Sequence, residues 1–257
     1  MATLERRHPF ARAPAAPAAA GAVPAIRVSH LLGRVALLSA RTLGPFSLFT
    51  LAAATAARGG AEVVAAHQVA FQLWLAVGLL ADSVAVAAQT ILAKQVAAGR
   101  AARARGVVAR SLLYGLGMGV AAGAMLAAAG GALPAVFTTD AGVLSRVVPL
   151  MAAVAASQPI VAGAFVGDGL LFGVEDFGFA TAMMLASAGL GIAVLGASCW
   201  GLPPGDPRCL GGVWAGMETL MAGRMVFSCA RCLLFAGPFA ALRPEGGGGA
   251  PLAAKAE

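Results

Sequence analysis

Between Ala65 and Lys94 the chain reads AAHQVAFQLWLAVGLLADSVAVAAQTILAK, with a single carboxylate and no other full charge before the closing lysine. A helix needs about 20 apolar residues to cross a bilayer, and this run is longer than that. Gln72, Asp82 and Gln89 nevertheless interrupt it. A carboxylate at mid-membrane costs roughly 2.5–3.5 kcal/mol on insertion scales, so it tends to mark an ion or substrate route. The segment predicts an integral membrane protein, and one that moves something.

Five further apolar stretches join it, so that six spans are expected at about 34–57, 64–94, 107–132, 145–173, 178–200 and 211–235. They are long and lack period-two alternation, which excludes a barrel of strands and predicts an all-α membrane protein. Turn-forming or charged residues punctuate each break, as at Arg58-Gly59-Gly60 and around Pro203-Pro204-Gly205-Asp206-Pro207. Composition agrees: 60% of residues are hydrophobic and 11% charged, where a soluble domain carries about 25% charged residues. Abundant Ala and Gly would let helices approach closely where no hydrophobic effect drives them together. Residues 1–31 are rich in Ala, Pro and Arg with no apolar periodicity, and are expected to be disordered, with a transit peptide as the functional alternative. A six-helix transmembrane domain at 32–236 and a disordered tail at 237–257 complete the expected organisation.

The formal charge of +7 sorts by side. With the N-terminus inside, thirteen basic residues fall on the inner side, among them Lys94, Arg100, Arg103, Arg105 and Arg110, against Arg58, Arg146 and Arg208 outside. Basic excess marks the cytoplasmic side or its equivalent, so both termini are expected there. The Arg100–Arg110 cluster is thereby an inner loop, and nucleic acid is not an expected partner. Cys229 and Cys232 spell C-x-x-C inside an apolar helix without a neighbouring His and are read as packing residues. Cys199 and Cys209 flank the outer loop after the fifth span and are not expected to be joined.

On a helical wheel, Gln68, Gln72, Asp82, Ser83, Gln89 and Thr90 share one arc of about 120°. Such a stripe should face protein or water; interhelical hydrogen bonding is the plain alternative to a transport route. Ser157 and Asp168 of the fourth span likewise project in nearly the same direction. Asp168, in the inner half of that span, is a candidate for exchanging a cation, and helix capping is its alternative. Arg41 and Arg224 lie near the inner face, where they would anchor their helices by snorkelling. His67 opens the second span as an interfacial residue. Glu218 stands about two turns inside the last span without a partner in sequence; an outer water-filled vestibule would accommodate it. No G-x-S-x-G, HExxH, Walker A or GxGxxG-to-helix pattern occurs, so enzyme readings find no support.

Several of these residues recur in one known family. The Ala65–Lys94 segment resembles the eighth helix of multidrug and toxic compound extrusion (MATE) transporters, in their plant and algal DinF-like branch. Val136-Phe137-Thr138-Thr139-Asp140 with Val143 is similar to the family's F-T-x-D loop. Ala156-Ser157-Gln158-Pro159, Phe165, Asp168-Gly169, Phe172-Gly173 and Asp176-Phe177 resemble the tenth helix and its turn, and Gly212-Val213-Trp214-Ala215-Gly216 with Arg224-Met225 the twelfth. The resemblance covers roughly Leu32 to Phe235. It implies the second six-helix lobe of a two-lobe antiporter that exports organic and xenobiotic compounds in exchange for H⁺ or Na⁺, with no other cofactor. It further places Asp168 at the tenth-helix acid used in cation coupling and Asp82 at an acid recurring in the branch's eighth helix. Both are expected to bind the coupling cation, and the polar stripes make Gln72, Gln89 and Ser157 the expected cavity lining. The chain departs from the family in carrying only this lobe and in placing Glu218 where a neutral residue is usual. The expected partners are the bilayer, an organic small molecule, and a second lobe or another copy; the branch points to the plastid envelope. A non-transporting half that only pairs with another lobe is the alternative, and a longer gene product is the third reading.

Overall fold

The computed structural model describes residues 28–203 and 206–243. They form α1 (Val28–Ala57), α2 (Ala61–Ala97), α3 (Ala101–Ala129), the short α4 (Ala132–Phe137), α5 (Ala141–Gly173), α6 (Phe177–Cys199) and α7 (Pro207–Leu233), closed by a 3₁₀ helix at Gly237–Leu242. Six of these helices are long and apolar enough to cross a membrane. The expected spans are all present, and most begin several residues earlier than the apolar runs do. The expected disordered segments at 1–27 and 244–257 lie outside the described residues. Inside them two boundaries differ: α1 already begins at Val28, and residues 237–242 wind into a 3₁₀ turn. That turn is held by Phe239 and Leu242, both buried, and by Arg105 Nη1 donating to the Leu242 carbonyl at 2.9 Å.

α5 is the centre of the bundle. Residues on nearly every side of it are buried, and it packs against α2, α3 and α7. α6 packs on α7 and α1. Small residues set these distances. A Cβ on Gly119 of α3 would fall 2.7 Å from the Gln158 carbonyl oxygen of α5, and a Cβ on Gly169 of α5 would collide with the Ala85 backbone of α2. Backbones in direct contact are how membrane helices gain packing without water to expel. Pro159, within α5, lacks the N–H that would bond the Ala155 carbonyl. Such breaks are tolerated in membranes where neighbouring helices cover them, as α3 does here.

The outward faces of α1 and α3 carry exposed Leu43, Phe46, Leu113, Leu116 and Met125. In water so broad an apolar surface would associate; in a bilayer it is the lipid-facing coat. At one end of the bundle, Asp140 caps α5 by accepting from the Gly142 and Val143 amides, and Glu62 pairs with Arg146 at 3.0 Å. At the opposite end, Arg34 pairs with Glu175 at 2.8 Å and Arg231 with Asp176 at 3.0 Å. Apart from Glu218 in the middle of α7, charge therefore stays at the two rims, with one exception.

Candidate functional site: a charged cleft within the membrane span

The exception is a cleft of about 360 Å³ formed by α1, α2, α5, α6 and α7, lined in part by Arg41, Asp82, Gln89, Asp168 and Arg224. Asp168 is 5% exposed and Arg224 likewise. Arg224 Nη2 donates to Asp168 Oδ2 at 2.7 Å, and Arg41 Nη2 donates to the same oxygen. Each guanidinium also lies over an aromatic ring, Arg41 over Phe172 and Arg224 over Phe165, both 4.9 Å from the ring centre. A cation over a ring face is attracted by its quadrupole, more so where water is excluded. Carboxylate and ring together hold both arginines in place.

The two arginines correct the sequence reading. They do not snorkel to the inner face; they turn inward and meet on one carboxylate. Their buried desolvation is offset by sharing Asp168, since an unpaired charge in such a place would cost several kcal/mol. Asp168 Oδ1 and the Nε atoms of Arg41 and Arg224 are buried without a partner, so the triad is not saturated. It carries a net single positive charge when all three groups are ionised, and Asp82 on the same cleft brings the wall toward neutrality.

The remaining expected residues separate into three groups. Asp82 and Gln89 line the cleft with Asp168. Gln72 is exposed on α2 together with Gln68, Ser83 and Thr90, so most of the polar stripe is on the open face of the bundle, and Gln72 is not part of the cleft wall. Ser157 is buried, donates to the Val154 carbonyl at 3.0 Å, and sits beside Glu218 and not in the cleft. The glycine contacts of α5 on α2 bring Asp82 and Asp168 onto one wall. His67, expected at the interface, is 2% exposed, packed against Phe71 and Trp214. Cys199 and Cys209, not expected to be joined, form a disulfide that closes the α6–α7 loop. Glu218 and Arg224 stand six positions apart on α7, and no sequence rule pairs either with its neighbours.

A six-helix bundle with a charged cleft inside its span is the architecture of a multi-pass membrane protein. The MatE family profile matches residues 41–195, more than half of the chain, so the chain is a member of the MATE family. It is 37% identical over 213 residues to Protein DETOXIFICATION 44, chloroplastic, of Arabidopsis thaliana, covering 83% of this chain and 40% of that protein. Protein DETOXIFICATION 45, chloroplastic, of the same plant is 34% identical, covering 77% of this chain and 34% of that protein. The chain thus spans about two fifths or less of the length of these relatives. The fold is similar to that of a MOP superfamily transporter from Pyrococcus furiosus, with a TM-score of 0.66, 22% identity, and coverage of 78% of this chain and 44% of that one. A structure described as the outward-facing conformation of a multidrug resistance MATE family transporter gives a TM-score of 0.62 at 21% identity, with the same coverages. A match of that extent corresponds to one six-helix lobe.

Proposed function

We propose that this chain acts as the second lobe of a MATE-type antiporter that exports organic small molecules in exchange for H⁺ or Na⁺. The observation that carries the reading is the Arg41–Asp168–Arg224 triad, a buried ionic cluster on the wall of a cleft inside the span. Sites near mid-membrane at the interface of two repeats are where secondary transporters bind substrate and ion.

In this reading Asp168 is the coupling acid, and the two arginines are its built-in competitors. A proton or Na⁺ arriving at the carboxylate weakens its hold on both guanidiniums. Arg41 belongs to α1 and Arg224 to α7, so loosening them alters how two helices sit against α5. Departure of the cation restores the clamp. Asp82 adds a second carboxylate to the cleft, with Gln89 supplying neutral hydrogen-bonding groups for the substrate; Gln72 and Ser157 have no part in that wall.

The orientation with both termini inside, drawn from the basic residues, gains support from Cys199–Cys209. The disulfide lies at the end of the bundle opposite the basic loops, and disulfides persist on the oxidising side of a membrane. Two relatives described as chloroplastic support the plastid envelope. The test is efflux from liposomes holding the full chain, alone and with a co-expressed first lobe. Cation-coupled efflux that disappears in Asp168→Asn bears the proposal out, and coupling unchanged by that substitution overturns it.

A second reading rests on the exposed stripe of Gln68, Gln72, Asp82, Ser83 and Thr90. Lipid does not tolerate such a face, so the chain would serve by pairing, as a non-transporting half. Crosslinking from α2 to another chain in membranes, with no efflux in either assay, is the outcome that favours it.

A further inference from the structure

About 9 Å along α7 from Arg224, by the rise of 1.5 Å per residue, Glu218 forms a second buried level that the cleft reading does not use. Both of its carboxylate oxygens are buried and without a hydrogen-bond partner. The Trp74 indole of α2 and the Ser157 hydroxyl of α5 lie against it, yet neither closes a bond: Trp74 Nε1 is itself unpartnered, and Ser157 gives its proton to Val154. Trp214 stands one turn away on the same face of α7, and its Nε1 is unpartnered as well. Trp74 and Trp214 meet edge to face with ring centres 6.4 Å apart. His67 at 5.9 Å from Trp214 and Phe71 at 5.8 Å from Trp74 extend the aromatic wall.

The ionisable groups that share the interior with Glu218 all lie at other addresses. On α2 they are His67, packed on Trp214, and Asp82; on α5, Asp168; on α1, Arg41; on α7 itself, Arg224. α6 carries no ionisable side chain free to titrate, its Cys199 being disulfide-bonded. Among the described residues none of these forms an ion pair with Glu218, and Arg41 and Arg224 are already committed to Asp168.

The geometry points to Glu218 as a proton-binding site, separate from the Asp168 triad and one indole ring from the cleft. An ionised carboxylate with no countercharge and no donor, buried against aromatic rings, needs a cation to neutralise it. The surroundings decide which cation. Sodium sites in transporters draw on unwound backbone carbonyls and helix ends, but α7 runs unbroken from Pro207 to Leu233, so its carbonyls near Glu218 are taken up in the helix. The flanking indoles are donors only, which repel a metal ion. A proton needs one carboxylate oxygen and leaves the other to accept from the Trp74 N–H. Trp74 also lines the cleft, so a change of charge at Glu218 reaches the substrate level through a single side chain. As a coupling element this site rests on the transport reading above; as a proton site it stands without it.

The test is carbodiimide labelling of the purified full chain in lipid, with no gradient and no substrate. Carbodiimides react with protonated carboxyls in apolar surroundings. Mass spectrometry should find the Glu218 peptide modified at low pH, with labelling falling about tenfold per pH unit above its midpoint. Sodium at constant ionic strength should give no protection, and Glu218→Gln should lose the label. In parallel, the emission of Trp74 and Trp214 should show a step with the same midpoint, absent in Glu218→Gln. Sodium protection, or labelling that ignores pH, overturns the proton assignment. An unlabelled Glu218 together with pH-independent Trp emission overturns the site. A failure of efflux with labelling and emission intact strikes the transport reading alone.

Discussion

Arg224 of α7 and Asp168 of α5 meet at 2.7 Å inside the membrane span, 56 residues apart in sequence, with Arg41 of α1 closing on the same oxygen. One carboxylate therefore ties together three helices, and its removal would strand both guanidiniums.

Asp168→Asn should leave two guanidiniums facing each other without countercharge. Breaking a buried ion pair from one side typically costs about 3–5 kcal/mol. The variant should unfold at a markedly lower temperature in lipid or mild detergent. Arg224→Gln on top of it should recover part of that loss. Additive losses in this double-mutant cycle would show that the triad does not act as a unit.

The triad also marks where sequence reasoning stops. Hydropathy located every span because a bilayer imposes a length on apolar runs, and a run of that length is visible without knowing its neighbours. Helix ends were misjudged where polar first turns precede the apolar run, as with Arg103 and Arg105 in α3. A helical wheel sees one helix at a time, so it ranked Asp82 and Asp168 as polar points on apolar rods but could not see Arg41, 127 residues from Asp168. His67 looked interfacial because its distance from the helix start suited an interface; Trp214, from the far end of the chain, covers it. Ser157 had the right direction on α5 but the wrong level.

Packing supplies a second prediction. Gly169 faces the backbone of Ala85, the turn of α2 that follows Asp82. Gly169→Leu should drive α2 away from α5, weakening the fold and pulling Asp82 out of the cleft. Gly117 of α3 meets nothing within 4 Å, so Gly117→Ala should be tolerated, or stabilise by up to about 1 kcal/mol through helix propensity. Thermal unfolding of the two variants side by side checks this. Equal effects would mean that the small-residue contact has no special role.

The start of α7 should respond to acid. Asp206 Oδ1 accepts from the Arg208 amide at 2.9 Å, and the Arg208 side chain holds the same carboxyl through three further contacts of 2.7–3.3 Å. Those hydrogen bonds hold the Asp206 carboxyl below the usual carboxylate range. A carboxyl whose folded-state value is depressed contributes stability above its unfolded value, and loses it as pH falls through the folded one. The loop into α7 should therefore hold at neutral pH and loosen only below the ordinary carboxylate range. Carboxyl carbon shifts should report a low midpoint for Asp206, and Arg208→Gln should move that midpoint up. A midpoint unaffected by Arg208 would contradict the assignment.

The disulfide carries the last prediction, because it tests covalent structure and orientation together. Cys199 ends α6 and Cys209 lies in the first turn of α7, so their bond closes the loop between the last two spans. Closing a loop of about ten residues removes roughly 2.5–3 kcal/mol worth of freedom from the unfolded chain in the entropic account. Cys209→Ser should lower the unfolding temperature accordingly, and reduction of the parent protein should match it. Cys229 and Cys232 are free thiols toward the C-terminal end of α7. In sealed vesicles of known sidedness, a membrane-impermeant maleimide should modify the Cys199–Cys209 pair only after reduction and only from the face opposite the basic loops. Labelling of that pair from the same face as Arg100 and Arg103 would contradict the six-span arrangement, and labelling without prior reduction would mean that the bond is not formed in the membrane.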